Sequence, residues 1–251
     1  MDTVSINLVD FHCHLDLYSD HASAILECER QGVHTLTVTT TPKAWPRNRE
    51  LAAQTHFVRS ALGLHPQLVA QRANEIQLWE TYLSQTRYVG EIGLDAGPKY
   101  YQSFDLQKKI FARILLLCNQ AGNKILSIHS ARASSVVLDM IEKYMNPEHG
   151  RIVLHWFTGS KSDAKRAVDL GCYFSINAEM LKKENHRIMV TTLPLDRILT
   201  ETDGPFCQHN GHPIHPIEVT DAIHLIAPLV GMKPEAVTRT IYENLVELEN
   251  I

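Results

Sequence analysis

The sequence predicts an α/β fold, a (β/α)8 TIM barrel, and three observations carry that expectation. Eight short apolar runs alternate with longer stretches of helical period. The chain has 251 residues, close to the ~250 that eight strand–helix units need. Histidine and carboxylate residues recur where these runs end, and a barrel gathers such ends at one mouth. An open doubly wound sheet is the structural alternative, since alternation alone does not close a barrel. No glycine fingerprint for a dinucleotide is present.

Taken in order, "INLVDF" opens the series and a helix over 22–31 follows, stopped by Gly32 in the position of a left-handed cap. "TLTVTT" precedes a helix over 48–54, "VRSALG" one over 76–83, and "YVGEIG" one over 106–121. In that longest helix Leu106, Ile110, Ile114, Leu117 and Ala121 recur at spacings of three and four, predicting a buried stripe. "KILSIH" leads to 134–144, "RIVLHW" to 162–170, "CYFSIN" to 184–192, and "RILTET" to two C-terminal helices. Gly122 and Gly171 are further stops, and Pro234 suits the first turn of the last helix. No linker, low-complexity tract or longer repeat interrupts the pattern, so one domain over 1–251 is expected.

Composition narrows the function. A formal net charge of −4 provides no global positive field to hold a polyanion, so any nucleic-acid contact must be local. Five scattered cysteines without a C-x-x-C pair predict neither a disulfide framework nor a zinc ribbon, which suits a reducing cytoplasm. The N-terminus "MDTVSINLVD" lacks the pattern of a leader, and no apolar run approaches the ~20 residues of a membrane span, so no membrane partner is expected. Histidine, at 14 residues, is the unusual component. His34, His56, His149 and His224 lack ligand-type neighbours in sequence and read as ordinary residues.

In "DFHCHLD", Asp10, His12, His14 and Asp16 share one parity, so an extended strand would project all four from one face. Two imidazoles at a strand mouth are a grip for a borderline divalent metal. Further along, His65 follows the third run, Glu91 lies in the fourth, His129 and His155 end the fifth and sixth, and Asp203 follows the eighth. His12, His14, Glu91, His129, His155 and Asp203 form a ligand set for two divalent ions of zinc, magnesium or manganese type. Glu91 would bridge through its two oxygens. Any one of these alone would read as a hydrogen-bonded residue; six at one barrel end read as a metal centre.

The series "DFHCHLD", "LGLHP", "GEIGLD", "IHSAR", "LHWFTG" and "ETDGPF" resembles the TatD family of metal-dependent deoxyribonucleases, within the amidohydrolase superfamily, over nearly the whole chain. "TTTPKAW", "LGLHPQL", "LHWFTG" and "TDGPF" are more narrowly similar to the TatD-like QatD component of the bacterial four-gene Qat anti-phage system. The resemblance implies a metal-dependent hydrolase acting on DNA, at single strands or 3′ ends, with other Qat proteins as partners. It implies that Asp203 accepts a proton from the attacking water, that Glu91 bridges, and that His65 faces the phosphate or a third ion.

Asp95, at the parity of Glu91, is a candidate partner for a histidine N–H. Many relatives carry arginine two residues after the fifth-strand histidine; here that position is Ala131, and Arg132 is the candidate phosphate contact. Trp156 offers a stacking surface for a base, against the commoner fate of core packing. Lys182, Lys183 and Arg187 would make a local basic rim or a solvated helix face, and His209, His212 and His215 a polar or metal-binding loop. A small-molecule amidohydrolase on the same barrel and a metal-stabilised subunit with little activity alone are the competing functions. Glu91 in place of lysine disfavours the carboxylated-lysine branch of the former.

Overall fold

The computed structural model describes residues 7–209 and 211–250. Ile6 of the first apolar run, and most of the N-terminal segment read for a leader, lie outside them. Eight parallel strands follow one another in chain order: β1 (Leu8–Cys13), β2 (Val33–Thr37), β3 (Val58–Ser60), β4 (Tyr88–Gly93), β5 (Lys124–His129), β6 (Gly150–His155), β7 (Tyr173–Ile176) and β8 (Ile198–Thr200). Between them run α1 (His21–Gln31), α2 (Trp45–Ala52), α3 (Val69–Arg72), α4 (Ile76–Leu83), α5 (Phe104–Ala121), α6 (Ser134–Tyr144), α7 (Lys161–Asp169) and α8 (Glu184–Val190). A two-residue hairpin, β9 (Gln208–His209) with β10 (His212–Pro213), precedes α9 (Thr220–Leu229) and α10 (Pro234–Glu249).

The architecture is of the TIM-barrel type, but its regular ladders stop at a three-stranded β1–β2–β3 sheet and a five-stranded β4–β8 sheet. Isolated backbone bonds span the two seams. Beyond β3, the Leu62 amide donates to Tyr88 and its carbonyl accepts from Gly90, each at 3.0 Å. Beyond β8, the Asp203 amide donates to His12 at 2.9 Å and the His14 amide to Gly204 at 2.7 Å. The third run therefore yields a strand of only three residues, because Leu62 and Leu64 serve the seam instead of a ladder. At Gly63 a β-carbon would lie 1.7 Å from the Thr39 carbonyl oxygen, so only glycine lets the chain pass.

One apolar cluster fills the space inside and around the strands, with Phe11, Ile92, Ile128, Phe157 and Phe174 among its members. On α5 the buried stripe is Gln107, Phe111, Ile114, Leu115 and Cys118, which corrects the expected register. Of the predicted stripe only Ile114 is fully buried, and Leu106 is exposed. The helix rotates because Gln107 turns inward: its side chain accepts from the Asp95 amide at 2.8 Å and donates to the Asp95 and Tyr100 carbonyls. Helix packing here is subordinated to holding the loop after β4.

Candidate metal centre

The pairing register slips twice, between Asp10 and Cys13 on β1 and between Val89 and Ile92 on β4. His12 and Glu91 lie within those slips. A bulge re-aims a side chain that a straight ladder would point elsewhere. The consequence is convergence: His12 Nε2, His14 Nε2 and His65 Nε2 stand 3.5, 3.3 and 3.1 Å from Glu91 Oε2. On the other oxygen, His129 Nδ1 stands 2.6 Å and His155 Nε2 3.8 Å from Glu91 Oε1. Asp203 Oδ1 completes the group, 3.8 Å from His12 and 3.6 Å from His14. The six expected ligands are therefore brought together, and all sit at the C-terminal strand ends.

Three of the rings are fixed from behind. His12 Nδ1 pairs with Ser127 Oγ at 2.7 Å, His129 Nε2 with Asp95 Oδ2 at 3.3 Å, and His155 Nδ1 with Glu201 Oε2 at 2.8 Å. Each outer nitrogen is thereby occupied and each inner nitrogen faces Glu91, the orientation that partners of metal-binding histidines impose. Glu201 is held in turn by Ser175 and by Asn177 Nδ2 at 2.8 Å. Sequence reading identified Asp95 but missed Glu201, Ser127 and Ser175. Glu201 shares the parity of Asp203, which was the available signal, yet its partner lies 46 residues away.

The donor set fits a divalent cation. His12 Nε2 and both nitrogens of His14 are buried without a hydrogen-bond partner, a costly state that a bound ion would relieve. His12, His14 and Glu91 form one group of mutually close ligand atoms, and His65, Glu91 and His129 another. His65 differs in kind from the rest. Its Nδ1 accepts from the Gln67 amide at 3.1 Å, so the neutral ring carries its proton on Nε2 and acts there as a donor. Asp10 is no ligand either; it accepts from the Thr202 amide at 2.9 Å and ties the loop after β8 to β1. The single face of four expected at Asp10–Asp16 is broken by the slip on β1 and by the turn that holds Asp16.

Electrostatics follow from burial and crowding. Burial pushes the Asp203 carboxyl up to about 7, against the opposing pull of His155 and His14. Burial also opposes ionisation of Glu91, but His65, His12, His129 and His14 outweigh it and hold the carboxylate well below the usual range. Burial disfavours the charged ring of His155, yet Glu201 raises it to about 10. Burial lowers His65, only partly offset by Glu91.

A cavity of about 330 Å³ opens beside the cluster, lined by His14, His65, Glu91, His129, His155 and Asp203 together with Ala131, Trp156 and Phe206. Trp156 is half-buried, packs on the core, and also lines the cavity. Arg132 is not brought to the site. It is exposed, in a left-handed turn at φ 53°, and the wall at that point is Ala131. The expected basic rim is partly spent internally: Lys182 pairs with Glu179, and Arg187 Nη1 donates to the Leu181 carbonyl at 3.0 Å.

Residues 9–250 match the family model described as TatD related DNase. The chain belongs to the TatD family. It is 27% identical over 260 residues to an uncharacterized metal-dependent hydrolase of Buchnera aphidicola, covering 97% of this chain and 96% of that protein. It is 34% identical over 127 residues to the Deoxyribonuclease Tat-D of Schizosaccharomyces pombe, covering 49% of this chain and 40% of that protein. The crystal structure of YJJV, a TatD homologue of Escherichia coli, superposes with a TM-score of 0.88 at 24% identity, covering 98% of this chain and 99% of that one. This TatD-family chain is thus a metal-dependent hydrolase. No described helix is long and apolar enough to cross a membrane.

Proposed function

We propose that this TatD-family hydrolase is a divalent-metal-dependent deoxyribonuclease, cytoplasmic, that removes nucleotides from single strands or 3′ ends. The observation that carries the reading is the ring of inward imidazole nitrogens, unpartnered at His12 and His14, around the two oxygens of Glu91. The family description and the name of the Schizosaccharomyces pombe relative support DNA as the substrate. His12, His14, Glu91, His129, His155 and Asp203 would hold two ions. Such ions supply Lewis acidity toward a phosphoryl oxygen and make water a stronger acid.

The remaining work falls to the chain. Asp203, whose Oδ1 stands 3.8 Å from His12 and 3.6 Å from His14 at the centre, takes a proton from the attacking water. His65, neutral and protonated on Nε2, donates to a phosphoryl oxygen. Ser130 and Thr158 add hydroxyls to the cavity wall, which carries no lysine or arginine among the described residues. The motifs "TTTPKAW", "LGLHPQL", "LHWFTG" and "TDGPF" support a role in bacterial anti-phage defence beside other Qat proteins.

Elemental analysis and cleavage of end-labelled single-stranded DNA, with and without chelator, test the reading. Asp203→Asn and His129→Ala are expected to lower the rate about 10²–10⁴-fold while circular dichroism stays that of the wild type. Metal without cleavage would instead favour a small-molecule amidohydrolase or a subunit active only with its partners. The defence role is tested by phage plating on cells carrying the four Qat genes with Asp203→Asn in this one; undiminished protection would overturn it.

A further inference from the structure

Phe206 is the unexplained residue of the metal centre. A phenylalanine 61% exposed is ordinary when it stands alone on a surface, but this one lines the cavity that holds the ligands. Its ring sits edge-on to His14, with centroids 4.9 Å apart and planes at 79°. The ring therefore has a face left over. Nor is it exposed through looseness, because the chain around it is pinned on both sides. The Gly204 carbonyl accepts from His14 at 2.7 Å, the Cys207 amide donates to Asp203 at 3.2 Å, and Ile214 donates back to Cys207 at 3.1 Å. Tyr18 Oη donates to the Ile214 carbonyl, and at Gly204 a β-carbon would lie 2.1 Å from that same Tyr18 oxygen.

We infer that Phe206 is the stacking face of a subsite for the unpaired terminal base of a DNA strand. The inference rests on the nuclease reading above and deepens it to the residue that holds the strand end. Two observations favour a base over other occupants. The cavity, about 330 Å³, lies at the small end of the ~300–1,000 Å³ of ligand sites, room for a nucleotide and not for a duplex. Beyond the ions that would engage the scissile phosphate, its wall has no lysine or arginine among the described residues, so binding of the rest of a strand needs another source. A preorganised aromatic face is that source, since stacking is tolerant of base identity and costs little ordering when the ring is already fixed. The subsite reads the end of a strand without reading its sequence.

The test compares binding and turnover of two oligothymidylates, one ending in a base and one in an abasic nucleotide. Proteins are the wild type, Phe206→Ala, Phe206→Leu and Phe206→Tyr, each checked for metal content. Kd is read by fluorescence anisotropy with calcium replacing the active metal, KM and kcat with the active metal. The wild type is expected to prefer the base-bearing end, Phe206→Ala and Phe206→Leu to lose that preference by about tenfold or more, and Phe206→Tyr to keep it. Loss that is equal on both strands, or an unchanged preference in Phe206→Ala, would overturn the subsite. Should the wild type bind the base-bearing end preferentially without cleaving it, the subsite stands and the nuclease reading falls. Cleavage without any base preference gives the reverse.

Discussion

His12 presents Nε2 to the centre and His129 presents Nδ1, and the difference is set by what stands behind each ring. Ser127 occupies the outer nitrogen of the first and Asp95 that of the second. Glu201 does the same for His155, and it is fully buried, so its charge is compensated by this network of His155, Ser175 and Asn177. Glu201→Gln keeps the volume and removes the charge and one acceptor. It is expected to weaken metal affinity about 10–100-fold, measured by competition with a chromogenic chelator, while the thermal transition stays cooperative. The candidate ligands that the structure brings together were legible in the sequence because histidine and acid at run ends are uncommon. Their supports were not, because serine and a second glutamate are ordinary residues whose partners become visible only when strands from distant parts of the chain are side by side.

Helices and strands were legible where a single periodicity governs them, as in α4 and α6, whose bounds coincide with the expected ones. They were not legible where an element serves a second purpose. α5 is rotated by Gln107, β3 is cut short by the seam, and α3 and the β9–β10 hairpin are too short to show a period. The turn after β5 belongs to the same class. Its left-handed residue, Arg132, costs ~1–3 kcal/mol of backbone strain and leaves Ala131 as the cavity wall. Arg132→Ala is therefore expected to change KM for a single strand by less than about twofold. Ala131→Arg introduces a guanidinium where the described wall has no cation, and a several-fold lower KM is expected from bidentate contact with phosphate. Steady-state kinetics on one oligonucleotide decide both, and a large effect of Arg132→Ala would put the phosphate contact back on that residue.

Across the whole molecule, the formal net charge of −4 and a cavity wall without lysine or arginine among the described residues limit how many phosphates the protein neutralises. With one or two phosphates engaged, log K for a single strand falls with log salt at a slope of about −0.7 to −1.4. A slope steeper than about −3 between 50 and 200 mM salt would instead demand a basic track outside the cavity, with Lys183 and Arg187 the first residues to replace. Metal removal probes the opposite side of the same balance. The cluster at Glu91 places several imidazoles and two carboxylates in a buried space, some without partners, and an ion that binds only the folded state offsets that cost by mass action. At a free metal concentration 100 times Kd, one ion contributes about 2.7 kcal/mol. For a chain of this size each kcal/mol moves Tm by about 2–4 °C, so chelation is expected to lower Tm by about 5–10 °C for each ion removed. Strand pairing runs through the backbones of these residues and not their side chains, and the apolar core lies apart from the cluster, so the chelated protein still unfolds in a cooperative transition. A scanning calorimeter reads both quantities, and a Tm indifferent to chelator would show that the unpartnered nitrogens of His12 and His14 are not waiting on a cation.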